Sequence, residues 1–280
     1  MNTVPLRTNL SAMLASTRMR LLNVTRYPGQ IIMDVIVPIV LAAMPILLGR
    51  ATAGDQAAVI FEANTGTSNY VGYMIIGASA FSMVSYAFWH IAYWIRWEME
   101  TGTLESLYLS PTASLWIAAG TSLYSLIRSL VAALTSYFLG SLILGVNPLQ
   151  GELLLAVSFL VVGAIPLYGM ALLFGAVVLK LRDANSLINL MQWVVSFLMG
   201  VFFPIQIFPA YLKVIALLFP PTWMTNGVRS ALLGVGYFFG EWYFDLAMLW
   251  VFLLIAPLVG YQIFMRVENG IRRNEGVGQY

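Results

Sequence analysis

The chain has 280 residues, of which 60% are hydrophobic and 9% charged, with a formal net charge of +2. Its mean hydropathy is +0.83, and a soluble domain carries about 25% charged residues, so a water-facing surface is excluded and most of the exterior must meet lipid or protein. The small net charge argues against a nucleic-acid partner, the lack of cysteine excludes disulfides and thiolate metal sites, and one histidine excludes a histidine metal cluster within a single chain.

Residues 1–30 carry Arg7, Arg18, Arg20 and Arg26 scattered among apolar positions. A secretory leader would group its basic residues ahead of a compact apolar run, so none is expected here. Leu10, Met13, Leu14, Thr17, Leu21 and Val24 recur at helical spacing, which predicts an amphipathic interfacial helix with its arginines toward the headgroups. A solvated helix docked on a partner is the alternative. A membrane span needs about 20 mostly apolar residues, and the first candidate is Ile31–Leu48, with Asp34 near its start and Pro38 and Pro45 inside. The polar stretch Arg50–Asn69 reads as a loop. Further spans are expected at Tyr70–Ile95, Leu115–Leu144, Leu153–Leu179, Leu187–Phe203 and Phe244–Phe264, with a tight turn at Asn147-Pro148.

Residues 204–243 break this rhythm. Pro204, Pro209, Pro220 and Pro221 leave no uninterrupted run long enough to span. Ala210–Phe219 and Thr222–Leu233, the latter capped by Thr222, therefore read as short re-entrant helices on the outer side. A seventh, interrupted span is the alternative. Six spans put Arg7, Arg18, Arg20, Arg26, Arg96, Lys180, Arg182, Arg266, Arg272 and Arg273 on one side and Arg50, Lys213 and Arg229 on the other. Short cytoplasmic loops favour Lys and Arg, so both termini are expected in the cytoplasm. The expected fold is an all-α membrane protein with six transmembrane helices. It forms one domain over 1–280, with an interfacial connecting helix in 1–30, a cytoplasmic segment at 96–111 and re-entrant helices at 204–243. No matched pair of interrupted helices marks the two halves, as secondary transporters often show.

The 96–111 segment is unusual for a cytoplasmic loop because it is rich in carboxylates: Glu98, Glu100 and Glu105. Thr103 can cap a short helix with Glu105 in its first turn. Leu104, Leu107 and Tyr108 then share one face, and Ser110-Pro111 ends it. Such an element is suited to pressing into a groove on a soluble partner.

With Glu98, Glu100, Gly102, Thr103, Leu104, Glu105, Ser110 and Pro111 in that order, the segment resembles the hallmark of permease subunits of ABC type-2 exporters. Phe202, Phe203, Pro204, Phe208, Pro209, Pro220, Pro221, Arg229 and Gly234 resemble a second family pattern after the fifth span. The resemblance implies two permeases, alike or homologous, working with two nucleotide-binding ATPase subunits. It implies that Glu98, Glu100, Gly102, Thr103, Leu104, Glu105, Leu107 and Tyr108 form the coupling helix, and that the outer helices belong to an extracellular gate. The chain has no Gly-x-x-x-x-Gly-Lys-Ser/Thr phosphate loop. ATP and Mg are therefore expected on the partner, with no catalytic, cofactor-binding or metal-ligating set in this chain.

Arg128 lies within a span, where an unpaired charge costs about 2.5–3.5 kcal/mol or more. It either contacts an anionic substrate group or forms an ion pair that fixes packing, with Asp34 or a coupling-segment glutamate as partner. Phe197, Phe202, Phe203 and Phe208 are candidates for an outer apolar gate. His90 reads as a hydrogen-bonded structural residue or a pH switch, and Asp34 as an interfacial cap or a proton relay. The aromatics Tyr86, Phe88, Trp89, Tyr93, Trp94 and Trp97 suggest an interface belt. Gly72, Gly77, Gly163, Gly169 and Gly175 suggest close helix packing. The expected function is that of a multi-pass plasma-membrane permease exporting an amphipathic drug, lipid or lipid-linked glycan. An ion-coupled secondary transporter is the alternative, and a membrane enzyme lacks the clustered acid–base residues it would need.

Overall fold

Hydropathy this high forces backbone polar groups to pair within helices, and the computed structural model is all-helical among the residues it describes, 5–54, 56–100, 114–178 and 184–274. Ten α-helices follow in order: α1 Leu6–Val24, α2 Pro28–Ala53, α3 Gln56–Thr65, α4 Tyr70–Glu100, α5 Ser114–Ile143, α6 Leu153–Val178, α7 Ala184–Leu198, α8 Ala210–Leu217, α9 Pro220–Leu233 and α10 Trp242–Asn274. Five of them, α2, α4, α5, α6 and α10, are long and apolar enough to cross a membrane.

Helix α4 is the central stave. Its apolar residues from Val71 to Ile91 are nearly all buried, with α2 and α5 on one flank and α6 and α9 on the other. Helix α10 packs chiefly on α6, and glycine is the reason the two come so close. A Cβ at Gly169 would overlap the backbone of Ala256 and Pro257, and one at Gly260 would overlap the Gly169 carbonyl. Helix α1 crosses α5 in the same manner. Thr17 Oγ1 donates to the Gly120 carbonyl at 2.8 Å, and a Cβ at Gly120 would overlap the Met13 carbonyl.

Several boundaries differ from the sequence reading. The expected loop at 50–69 contains α3, whose Phe61 ring sits 5.0 Å from that of Tyr73 and anchors it to α4. The stretch expected to span through Phe203 is helical only to Leu198. The chain turns at Gly200, whose φ of +63° is a left-handed conformation that suits glycine. Helix α9 starts at Pro220, with the two prolines in its first turn, where their missing N–H groups cost nothing. Thr222 is thus inside the helix and does not cap it. The stripe expected on α1 is divided: Met13, Thr17, Leu21 and Val24 turn toward the bundle, whereas Leu10 and Leu14 are exposed.

The α6–α10 crossing gives a direct prediction. Gly169→Ala should lower the unfolding temperature of the detergent-purified protein, since overpacking costs about 1–3 kcal/mol. Gly49→Ala, where a Cβ meets nothing within 4 Å, should leave it unchanged or raise it through helix propensity.

Candidate functional site

Two charge-bearing clusters lie along α4. In the first, Arg128 of α5 forms a two-pronged pair with Asp34 of α2: Nε to Oδ2 at 2.6 Å and Nη2 to Oδ1 at 3.0 Å. Arg128 Nη1 also donates to the Tyr124 hydroxyl at 3.0 Å, and the Tyr86 hydroxyl donates to Asp34 Oδ1. The guanidinium lies 5.4 Å from the Tyr86 ring centroid. The side chains of Arg128 and Asp34 are 20% and 10% exposed, so the pair is largely withdrawn from solvent, and each guanidinium nitrogen has an acceptor. Asp34 is therefore a counter-ion and not a helix cap; α2 has no side-chain cap.

In the second cluster, Arg229 of α9 is only 2% exposed. Its Nη1 donates to the Gly200 carbonyl at 2.8 Å, and its Nη2 donates to Val201 O at 2.6 Å and Tyr73 O at 3.1 Å. Its face lies 3.5 Å from the Tyr73 ring centroid. These are dipole partners in place of a carboxylate. The carbonyls of Gly200 and Val201 lie in the turn just past the end of α7, on the negative side of its dipole. A Cβ at Gly77 would overlap both Val201 O and the guanidinium, so glycine there makes room for the cradle. By charge bias Arg229, on the expected re-entrant helix 222–233, counts among the outer-side cations. Its burial removes it from that count; the sequence marked the residue through the second family pattern, and its shared helical face with Thr222 and Thr225 was the signal for burial.

Of the four candidate gate phenylalanines, three meet. Phe197, Phe203 and Phe208 have ring centroids 5.0–5.5 Å apart, gathered where α7 ends and the chain turns toward α8. Phe202 instead packs against the core. The expected aromatic belt is partly a packing seam. Phe88 is buried edge-on against Phe174 at 4.8 Å, and Trp89 Nε1 donates to Gln192 Oε1 of α7 at 2.7 Å. Tyr86 serves Asp34, while Tyr93 is exposed. His90 is half-buried beside Tyr124, ring centroids 6.1 Å apart. The sequence reading missed Asp245, fully buried at the start of α10, whose carboxylate accepts the backbone N–H groups of Phe238 and Phe239 at 2.8 and 3.1 Å. Glu98 and Glu100 fall in the last turns of α4. Gly102, Thr103, Leu104, Glu105, Leu107 and Tyr108 lie outside the described residues.

The family model for ABC-2 type transporters matches residues 11–233 of the chain. No curated protein matches it.

Both clusters are testable by stability. Arg229→Lys keeps the charge but loses the planar fork, leaving buried carbonyls unmet at about 1–3 kcal/mol each, so the variant should unfold at clearly lower temperature. Asp34→Asn and Arg128→Gln should each destabilise by stranding a partner, toward the lower end of about 3–5 kcal/mol because of the residual exposure. The double variant should recover part of that loss, read as a coupling energy in a thermal-unfolding cycle.

Proposed function

This chain belongs to the ABC-2 type transporter family, and from that premise we propose that it is the permease subunit of an ATP-driven exporter in the plasma membrane. The observation that carries the proposal is the family match over 11–233, which takes in four of the five long apolar helices. The cargo is an amphipathic molecule of the drug, lipid or lipid-linked glycan class. ATP and Mg bind on a separate nucleotide-binding subunit, and two permeases, identical or homologous, make up the membrane part.

In this reading α7 is the fifth of six spans. Its 15 helical residues reach about 22 Å, short of a hydrocarbon core of about 30 Å, and the apolar turn from Met199 to Phe203 carries the chain the rest of the way. Helices α8 and α9 enter and leave from the outer side. Helix α1 lies on the cytoplasmic face. With Arg229 buried, ten basic residues stand against two, Arg50 and Lys213, which supports cytoplasmic termini. The Phe197–Phe203–Phe208 cluster is the better candidate for an outer gate. Arg128, engaged with Asp34, is better suited to fixing packing than to gripping cargo. Asp34 is the carboxylate an ion-coupled transporter would draw on, and its arginine partner leaves it poorly suited to that task.

The segment 96–111 carries the motion of the ATPase to the bundle, through Glu98, Glu100, Gly102, Thr103, Leu104, Glu105, Leu107 and Tyr108. In the transporter reconstituted with its ATPase subunit, Leu104→Ala and Glu105→Ala should uncouple the two. An interface anchor contributes about 2 kcal/mol, so docking should weaken roughly 30-fold and ATP-driven transport should fall while the permease stays folded. Unchanged transport and ATPase stimulation in both variants would remove the assigned role.

A further inference from the structure

Helices α5 and α6 are joined by a short turn, yet they touch little. Helix α5 packs on α4 and α1, and α6 packs on α10, α9 and α4. A cleft of about 120 Å³ opens between them. Its floor is formed by Ile76 and Ala80 of α4 and by Val228 of α9, and its walls by Ala133 of α5 and Ala156 and Leu160 of α6. The hydroxyls that border it are already engaged. Ser79 pairs with Ser136 at 3.1 Å, and the Tyr137 hydroxyl donates to the Pro148 carbonyl at 3.1 Å. What remains facing the space is carbon.

The mouth lies at Phe138 and Val157, 37% and 40% exposed, and one turn away along the same helix faces Leu142, Leu154 and Val161 are exposed too. That surface is apolar and faces hydrocarbon in a membrane-spanning bundle. The cleft occupies the last turns of α5 and the first turns of α6, within about 15 Å of the helix ends joined by residues 144–152, which is the depth of one leaflet. Water does not fill such a space, since apolar cavities of about 150 Å³ stay dry and take small apolar guests. Protein interiors do not tolerate a void of this size without cost, and an alkyl chain is what lies against the mouth. No charged side chain lines the cleft, so nothing in it selects a headgroup, and its volume admits part of one chain and no ring system.

We propose that this cleft holds a segment of one acyl chain of a bilayer lipid, resident between α4, α5, α6 and α9 as a packing element. It is separate from the Phe197–Phe203–Phe208 cluster and does not depend on the transport reading.

The test uses the assembled transporter in lipid nanodiscs doped with phosphatidylcholine or phosphatidylglycerol carrying a photoactivatable diazirine in mid-chain. After irradiation, peptide mapping should find label on Ile76, Ala80 and Leu160, which are 3%, 1% and 7% exposed and cannot be reached by a chain passing over the outer surface. Both headgroups should give the same pattern. Ala156→Leu should abolish the deep label and keep that on Leu142 and Leu154, and Val157→Ala, which widens the mouth, should preserve it. If Ala156→Leu does not fold, the mapping of the unaltered transporter still decides. Label confined to Phe138, Leu142, Leu154 and Val161 would overturn the proposal. So would deep label seen with only one headgroup, and so would deep label that disappears on adding ATP, which would mark the occupant as passing cargo.

Discussion

A guanidinium buried without a carboxylate is held by the dipoles around it, and Arg229 shows what that demands of the chain. Its charge is balanced by the carbonyls of Gly200, Val201 and Tyr73 and by the Tyr73 ring. An isolated charge in low dielectric would cost many kcal/mol, so these oxygens must be held at hydrogen-bonding distance. Two of them are available only because α7 stops at Leu198 and the chain unwinds through Gly200. The third is within reach because Gly77 has no side chain to keep the guanidinium off the face of α4. The end of α7, the placement of α9 and the glycine in α4 are therefore one arrangement, and none can change alone.

The surroundings of α9 extend that arrangement. Met224 lies against Gly163, where a Cβ would come within 2.6 Å, and the Phe159 ring lies over Gly227. Trp223 Nε1 donates to the Leu217 carbonyl at 2.8 Å and ties α8 to α9. Asn226 and Ser230 both donate to the Gly236 carbonyl, at 3.1 and 2.7 Å, and Asp245 collects two N–H groups from the same loop. A segment with four prolines thus has several of its irregular backbone groups met by side chains, namely the Leu217 and Gly236 carbonyls and the Phe238 and Phe239 N–H groups. That is the condition under which irregular backbone is tolerated at membrane depth.

The long helices were legible because hydrophobic length is a property of the chain itself. The spans starting at Tyr70, Leu115, Leu153 and Phe244 all appear as helices beginning within two residues of those positions. The Asp34–Arg128 pair was also accessible, since a mid-span arginine needs a partner and few carboxylates lie near. The burial of Arg229 was not legible, because hydropathy assigns a residue by its sequence neighbours and cannot tell a polar face turned to water from one turned to a bundle. The same limit hid the role of Phe88 and Trp89, which look like interface aromatics but meet Phe174 and Gln192. Helix α3 was missed because it is only ten residues long and is flanked by polar residues, while the ring of Phe61 packed against Tyr70 and Tyr73 helps to attach it.

The two charged clusters differ in how they can respond to force. Helices α2, α6 and α10 each contain proline, where helices bend. Helix α4 contains none over its 31 residues, about 46 Å in length, and so links its two ends as a stiff rod. Tyr86 and Tyr73 lie about 20 Å apart on it, one serving the Asp34–Arg128 pair and the other the Arg229 cradle. A push applied at the Glu100 end therefore displaces both together. The ion pair can follow, because two flexible side chains and partial exposure allow it to adjust. The cradle cannot adjust gradually, since its acceptors are backbone carbonyls at fixed positions and packed interiors rearrange between discrete states. Any transmitted motion of α4 must then either carry α9 and the end of α7 along as one body, in which case the turn bearing Phe203 and Phe208 moves with them, or break the Arg229 contacts outright and leave that turn behind.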